Sequence, residues 1–338
     1  MTTSEFVVVG IDTGGTSNNV TVLSDDGRWL IDGMLEVPSR VTEGPEAAIE
    51  AMADAMSLGL QTAGVDHLAV RAVGLDTPGP ATGAGVLSTN GGTNLGHSGW
   101  REFDIRTGLE RRLGLPVIYN NDGNAAALYA HHEFFGTDAP NRSSVSAIVG
   151  TGLGGGVVES GRVISGSSGM AGELGHVHIP TYGLLEPDQP MPRCNCGFDG
   201  DVESVASLTG IRNNLLPYWL TRYPGHPLTG LDSLMAAKKA RGLGERGDEM
   251  ARKMFEQQAK ALGRLFTIAA NFTDPDAYFV GGGVVEAAPE FRDWFLATVR
   301  RHTLLRDEQR HAQFSLVPEL DMAGARGSAV AALSLASA

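Results

Sequence analysis

Cysteine is almost missing from this chain of 338 residues, where only Cys194 and Cys196 occur. A single residue separates them, so they are badly placed to bridge each other. That excludes a disulfide framework and points to a reducing compartment, or to a metal. Lysine is scarce as well: Lys238, Lys239, Lys253 and Lys260 are the only four. None follows a glycine loop, so the G-x-x-x-x-G-K-[ST] phosphate loop is excluded. Positive charge is in the minority, and the net charge of -13 argues against a nucleic-acid or anionic-membrane partner. No apolar stretch approaches membrane-spanning length. The opening "MTTSEF" has neither a basic n-region nor an apolar h-region, so a cytoplasmic location is expected. What remains is an ordinary globular composition, 42% hydrophobic and 19% charged, long enough for two domains and a large core.

Strand signals recur in "FVVVGI", "NVTVLS", "LAVRAVGLDTPG", "PVIYNND", "SVSAIVG", "GGVVESG", "AYFVGGG" and "FSLVPEL". Between them lie helical patterns: "GPEAAIEAMADAMSLGLQTAG", "GNAAALYAHHEFFG" and "EMARKMFEQQAKALGRLFTIAANF". Such alternation predicts an α/β protein with mostly parallel sheets. One internal echo stands out. "VVVGIDTGGTSNNVTVLSDDGR" is matched by "SAIVGTGLGGGVVESGRVISG", about 140 residues later. Both read strand, Gly/Thr turn, strand, then a polar turn, which predicts two domains on one plan. Asp12 aligns with Gly150, so the acid belongs to one half only.

The glycines of each turn suit the positive φ of a tight hairpin, and either turn alone reads equally as that. Together, "DTGGT" and "GTGLGGG" can converge backbone N–H groups on a polyphosphate, with Thr13, Thr16 and Thr151 as further donors. With no lysine nearby, the grip relies on backbone, hydroxyls and a divalent cation. An acid ending an apolar strand, Asp12, then has Mg²⁺ to hold, directly or through water. In "PVIYNNDGNAAALYA" a strand ends at Asn120-Asn121-Asp122 where a helix begins. Asp122 reads there as a helix cap or as a base for a hydroxyl proton. "GELGHVHI" and "CNCGFDGDVES" bring Glu173, His176, Cys194, Cys196, Asp201 and Glu203; two thiols and a histidine are zinc-type ligands. "DAYFVGGGVV" is a strand and triple-glycine turn against which a nucleoside could lie.

Taken in order, "GIDTGGT", "TPGP", "NND", "GTGLGGG", "GELGH", "CNCG", "FVGGGV" and "MAGARGSAVAAL" resemble a sugar kinase of the ROK family, over the whole chain. That family lies within the superfamily of actin, hexokinase and heat-shock ATPases. The resemblance implies a two-domain, actin-like (ribonuclease H-like) α/β fold with a duplicated mixed-sheet core and a cleft between domains. The boundary is expected near 122: a small domain over 1–122, with the C-terminal helix of about 324–338 as a candidate addition, and a large one over 123–323. By similarity Asp12, Gly14, Gly15 and Thr16 form the first phosphate motif, Thr151, Gly152 and Gly154 the second, and Gly281 and Gly282 the adenosine motif. Asp122 is the implied base. Asn121, Glu173, His176 and Glu203, joined by Gly79 and Asn94, grip the sugar.

The implied reaction moves the γ-phosphate of ATP to a sugar hydroxyl, O6 of glucose first. Mannose, N-acetylglucosamine, N-acetylmannosamine and fructose follow, and polyphosphate is the other donor. A homodimer or homotetramer is expected. Two departures bear on zinc: Asp201 stands where the family's motif has its third cysteine, and 17 residues separate His176 from Cys194. A ligand set of His176, Cys194, Cys196 and Asp201 is the expectation to test. ROK-type repressors bind sugar but carry an N-terminal DNA-binding domain. Here the first strand begins within about five residues of Met1, so none is expected. A sugar sensor without catalysis is the remaining alternative.

Overall fold

The computed structural model describes residues 5–90 and 94–337. The first half of the described chain runs through β1 (Val7–Thr13), β2 (Ser17–Ser24), β3 (Leu35–Pro38), α1 (Pro45–Ala63), β4 (Val70–Thr77), α2 (Ile105–Leu113), β5 (Val117–Asn121) and α3 (Asp122–Phe135). Next come β6 (Ser144–Val149), β7 (Leu153–Glu159) and β8 (Arg162–Val163). The short helices α4 (Glu203–Ala206), α5 (Leu208–Gly210) and α6 (Leu216–Arg222) lead into α7 (Ser233–Glu245) and α8 (Glu249–Thr273). The chain closes with β9 (Ala277–Gly282), α9 (Pro289–Arg301), β10 (Gln313–Leu316) and α10 (Leu320–Ala336). Every quoted strand and helix pattern has its element. The strands that sequence reading missed, β3 and β8, are edge strands of four and two residues, too short to show a period.

The echo between the two halves is real at the level of topology. The first sheet runs β3-β2-β1-β4-β5 and the second β8-β7-β6-β9-β10, the same order element for element. In both, the first strand of the set pairs in parallel with the fourth, and the outer hairpin is antiparallel. Both sheets are therefore mixed, as the family resemblance implies. The alternation of strands and helices points to mostly parallel sheets, but in the first sheet the hairpin strands β2 and β3 make two of the four pairings antiparallel.

Helix ends are written in the sequence. Gly44 precedes Pro45 at the first position of α1, and Gly64 closes it at φ 67°. Asp248 caps α8 by accepting from the Ala251 N–H at 2.9 Å. In the first sheet, period-two alternation sends Val7, Val9 and Ile11 into one core with Met52, Met56 and Trp100. Val8 goes to the other face, into a core with Ala72, Ala127, Ala329 and Val330. Parity then puts Gly10 and Asp12, and on β4 Gly74 and Asp76, on this second face with α10. The approach is close. A Cβ on Gly10 would stand 1.9 Å from the Ala325 carbonyl oxygen, and one on Gly74 1.8 Å from that of Ser328. Glycine is what lets α10 lie on the sheet.

The chain divides into two compact units: Met1–Asn141 with Gly156–Gly172 and Pro318–Ala338, and Arg142–Gly155 with Glu173–Val317. The division differs from a boundary at 122. Helix α3 goes with the first unit because it packs on α10, where a Cβ on Gly327 would stand 1.8 Å from the Ala125 carbonyl oxygen. The first unit thereby becomes the longer of the two. Among the described residues no helix is long and apolar enough to cross a membrane.

Candidate active site

In the first unit, β1, β4 and β5 run parallel, and the acids stand at their C-terminal ends. The register pairs Gly10 with Gly74, Ile11 with Leu75 and Asp12 with Asp76. It then pairs Asp76 with Asn120 and Thr77 with Asn121, one residue before Asp122. C-terminal strand ends are where α/β sheets bind ligands. Asp12 is half-buried; its Oδ2 accepts from Asn19 Nδ2 at 3.3 Å. Asp76 is wholly buried, with Oδ2 accepting from Ser328 Oγ at 2.7 Å and Oδ1 accepting no hydrogen bond among the described residues. Burial, followed by the charge of Asp12, pushes the Asp76 carboxyl well above the ordinary aspartate range. Burial also raises Asp12, opposed by its hydrogen bonds with Asp76 and Asn19. The pair is self-consistent with Asp76 holding the proton and Asp12 receiving the hydrogen bond.

Gly14 and Gly15 link β1 to β2, with the Gly14 N–H donating to the Ser17 carbonyl at 2.8 Å. Neither has positive φ, contrary to the hairpin argument. Gly15 is small for another reason: a Cβ there would stand 2.8 Å from Asn94 Cβ. Asn94 itself has φ 65° and is exposed against this turn. Thr16 is exposed at the turn's far end, and Gly79 follows β4 by two residues.

The turn is well suited to a hard cation beside phosphate. Asn19 Oδ1, opposite Asp12 in register, is buried without a hydrogen-bond partner, whereas the unpartnered Thr13 Oγ1 and Asn18 amide stand by the same parity on the other face of the sheet. A half-buried carboxylate beside an unbonded amide oxygen fits Mg²⁺ bound directly or through water.

At the β5–α3 junction the capping role falls to a neighbour of Asp122. Asn121 is the cap: its Oδ1 accepts from the Asn124 N–H at 2.7 Å. Asp122 is exposed, and its Oδ1 takes the N–H of its neighbour Gly123 at 2.8 Å. Its negative charge also contributes to raising Asp76. The capping place is thus filled by Asn121 rather than by the Asp122 carboxylate.

The second unit holds the other motifs. Gly150 donates its N–H to the Gly152 carbonyl at 2.9 Å, and Thr151 is exposed. Thr209 fastens this turn, with N–H and Oγ1 both on the Thr151 carbonyl at 3.1 and 2.8 Å. Gly152 leads into Leu153 and Gly154 at the start of β7, where the Leu153 N–H donates to Glu203 Oε2 at 2.8 Å. Beside the turn, register pairs Val149 with Gly282 and Ile148 with Gly281. Gly282 has φ +97°, and a Cβ on it would fall 1.8 Å from the Val149 carbonyl oxygen. The Gly150–Gly152 turn and the glycines at the end of β9 are thus neighbours on adjacent strand ends.

Glu203 also joins the cysteine cluster, accepting from Cys194 Sγ on Oε1 at 3.4 Å. His176 Nδ1 lies 3.2 Å from Asp201 Oδ2 and 3.8 Å from Cys194 Sγ, and Cys196 Sγ lies 3.4 Å from Asp201 Oδ2. One donor atom from each of the four lies within 4.8 Å of every other. Asp201 is fully buried, and its Oδ1 accepts from the Ser204 N–H in the first turn of α4 at 2.8 Å. Burial opposes its charge, but bonds from Cys194, Ser204, His176 and Cys196 outweigh it and hold the carboxyl below the usual range. Two sulfurs, a nitrogen and a carboxylate oxygen converging in this way fit a tetrahedral zinc site. Glu173 immediately precedes the short 3₁₀ turn Leu174–His176.

Sequence reasoning missed Asp76, Ser328 and Thr209. A signal for the first was present, since Gly74-Leu75-Asp76-Thr77 repeats Gly10-Ile11-Asp12-Thr13.

Comparison with known proteins agrees with this geometry. The ROK family profile matches residues 8–334. A glucokinase from Halalkalibacterium halodurans is 31% identical over 298 residues, covering 87% of this chain and 84% of that protein. An N-acetylmannosamine kinase from Escherichia fergusonii is 32% identical over 279 residues, covering 82% and 84%. Among solved structures, the ROK hexokinase from Thermus thermophilus matches with a TM-score of 0.76 at 32% identity, over 98% of this chain and all of that one. A ROK family glucokinase from Streptomyces griseus, solved with glucose and AMPPNP, matches with a TM-score of 0.66 at 28% identity, over 97% and 99%. The two sheets, their common strand order and these relatives identify an actin-like ATPase fold, and the chain belongs to the ROK family.

Proposed function

We propose that this protein is an ATP-dependent hexose kinase that transfers the γ-phosphate to a sugar hydroxyl, with O6 of glucose as first choice. The observation that carries the reading is the row of acids at the ends of β1, β4 and β5. One is buried with its carboxyl pushed well above the ordinary range, one is half-buried beside glycines and an amide oxygen, and one is exposed and not spent as the helix cap. The glucokinase relatives and the AMPPNP of the Streptomyces griseus structure support the donor and the substrate class.

In this reading Asp122 accepts the proton of the attacking hydroxyl. Gly15 and Thr16 of the first turn, and Thr151 and Gly152 of the second, are the proposed backbone donors to phosphate, where fixed donors stabilise developing charge without reorganising, and Gly14, its N–H spent on the Ser17 carbonyl, shapes the first turn. Gly281 and Gly282 lie along the nucleoside. Asn94, Asn121, Glu173, His176 and Glu203, with the Gly79 backbone, orient the sugar. Mg²⁺, held by Asp12 directly or through water, supplies charge neutralisation of the phosphates when bound.

Zinc is the second component. His176, Cys194, Cys196 and Asp201 would hold it, fixing the loop of residues 180–201 and the His176 ring.

An ADP-release assay over glucose, mannose, N-acetylglucosamine, N-acetylmannosamine and fructose tests the reading. N-Acetylmannosamine is on the panel because a kinase for it is 32% identical to this chain. Asp122→Asn should lower turnover by roughly 10²–10⁴-fold with little change in sugar affinity. Sugar binding with no ADP release from any hexose would favour a sensor, and near-normal turnover in the variant would remove Asp122 as the base.

A further inference from the structure

Remoteness in sequence separates every lysine from the glycine turns, but the fold brings one back. A cavity of about 410 Å³ in the second unit is bordered by Gly150 and Thr151 of the second turn and by Gly283 and Val284 after β9. That volume falls in the range of small-molecule sites. Phe255 and Ile211 supply part of its apolar wall. Helix α7 presents Lys238 and Arg241 to the same cavity, three residues apart and so on one helix face.

These two cations differ. Arg241 is committed: its Nη1 bonds the Gly283 carbonyl and reaches Glu286 Oε2 at 2.9 Å, and Nε lies 3.6 Å from Glu245 Oε1. Lys238 makes no ion pair among the described residues and is exposed at the rim. Lys238 lines a space that the Thr151 turn also lines, in a chain of net charge -13. The bland alternative is a solvated lysine on an exposed helix face.

We infer that Lys238 is a contact for the phosphates of the donor nucleotide, while the Arg241–Glu286 pair fixes the cavity wall that receives its base. This rests on the proposed use of ATP as donor. An ammonium is suited to the task as a mobile point charge, whereas the Arg241 fork is already occupied. The contact also compensates for the missing phosphate-loop lysine with one that only tertiary structure supplies.

The test is calorimetric titration of the full-length protein with ADP and, separately, with adenosine, at low and high salt. Lys238→Met should weaken ADP binding about tenfold, the scale of one charged hydrogen bond, and leave adenosine binding unchanged. Added salt should weaken ADP binding to the wild type more than to the variant. Lys238→Arg should recover most of the loss. ADP binding by Lys238→Met within about twofold of wild type, or an equal loss of adenosine and ADP, would overturn the assignment. A wild type that binds neither ligand would instead show that the nucleotide reading itself is wrong, whatever the variants do.

Discussion

The turn after β1 and the turn after β6 hold equivalent places in two sheets of the same strand order, yet they are supported in different ways. Behind the first stands charge. Asp12 ends its strand, Asp76 lies beside it in register, and the amide oxygen of Asn19 opposite is left unbonded. Behind the second stands a hydrogen-bond scaffold. Thr209 holds the Thr151 carbonyl, Glu203 holds the Leu153 N–H, and Gly150 occupies the place of the acid. A duplicated frame has thus been specialised by a few side chains. In the proposed reading one turn accepts a cation, and the other keeps its own backbone in place.

Removing the charge from the first turn should have the largest effect. Asp12→Ala is expected to abolish turnover, because the cation loses the carboxylate that the second turn does not have. Stability should hold or rise. The substitution removes a desolvated carboxylate and relieves the like-charge pressure on Asp76. Thermal melting beside turnover measurement separates the outcomes: a collapsed melting temperature would make Asp12 a structural acid, and the two turns would no longer differ in kind.

Much of this contrast between the turns is legible in the sequence. Asp12, Asp122 and both glycine turns stand out because each interrupts an apolar strand pattern at its end. The pairing of Asp12 with Asp76 is harder to read. It depends on strands separated by a whole helix, and only the repeat of Gly-x-Asp-Thr hints that the two run in register. Periodicity places residues on faces but does not choose strand neighbours. Lys238 escapes sequence reading for the same reason, since its cavity is formed by elements distant along the chain. The glycines are only half legible: size, rather than φ, is what Gly15 and Gly10 contribute.

A smaller effect follows from Asp76. Its carboxyl titrates above the ordinary aspartate value, so its contribution to stability is full below about pH 4 and is lost as pH rises through the raised folded-state value. Asp76→Asn keeps a donor for Asp12 and an acceptor for Ser328 without the ionisation. Relative to wild type, the variant should gain stability as pH increases, and the two should converge in acid. Urea unfolding of the metal-free and nucleotide-free protein across pH 4–9 reads this directly. Parallel pH slopes would mean that Asp76 shares its proton differently, and the first turn would lose its neutral partner.

The smallest expected effect concerns the second turn and the His-Cys-Asp cluster beside it. Glu203 touches both, with one oxygen on the Leu153 N–H and the other on Cys194 Sγ. Zinc at His176, Cys194, Cys196 and Asp201 would take Cys194 as thiolate, and so remove the thiol proton that now points to Glu203. The bond from Leu153 is a separate contact, on the other carboxylate oxygen, and can persist. Metal loss is therefore expected to loosen the loop of residues 180–201 and raise the KM for sugar several-fold, while the phosphate turn keeps its shape. A carboxylate is a harder donor than the thiolate it replaces, which makes this site weaker than one with three cysteines. Protein purified without chelator or histidine tag should carry close to one equivalent of zinc. Asp201→Cys should retain it more tightly against a chelator. Less than a tenth of an equivalent, with full kinase activity, would show that the cluster holds its shape by hydrogen bonds alone.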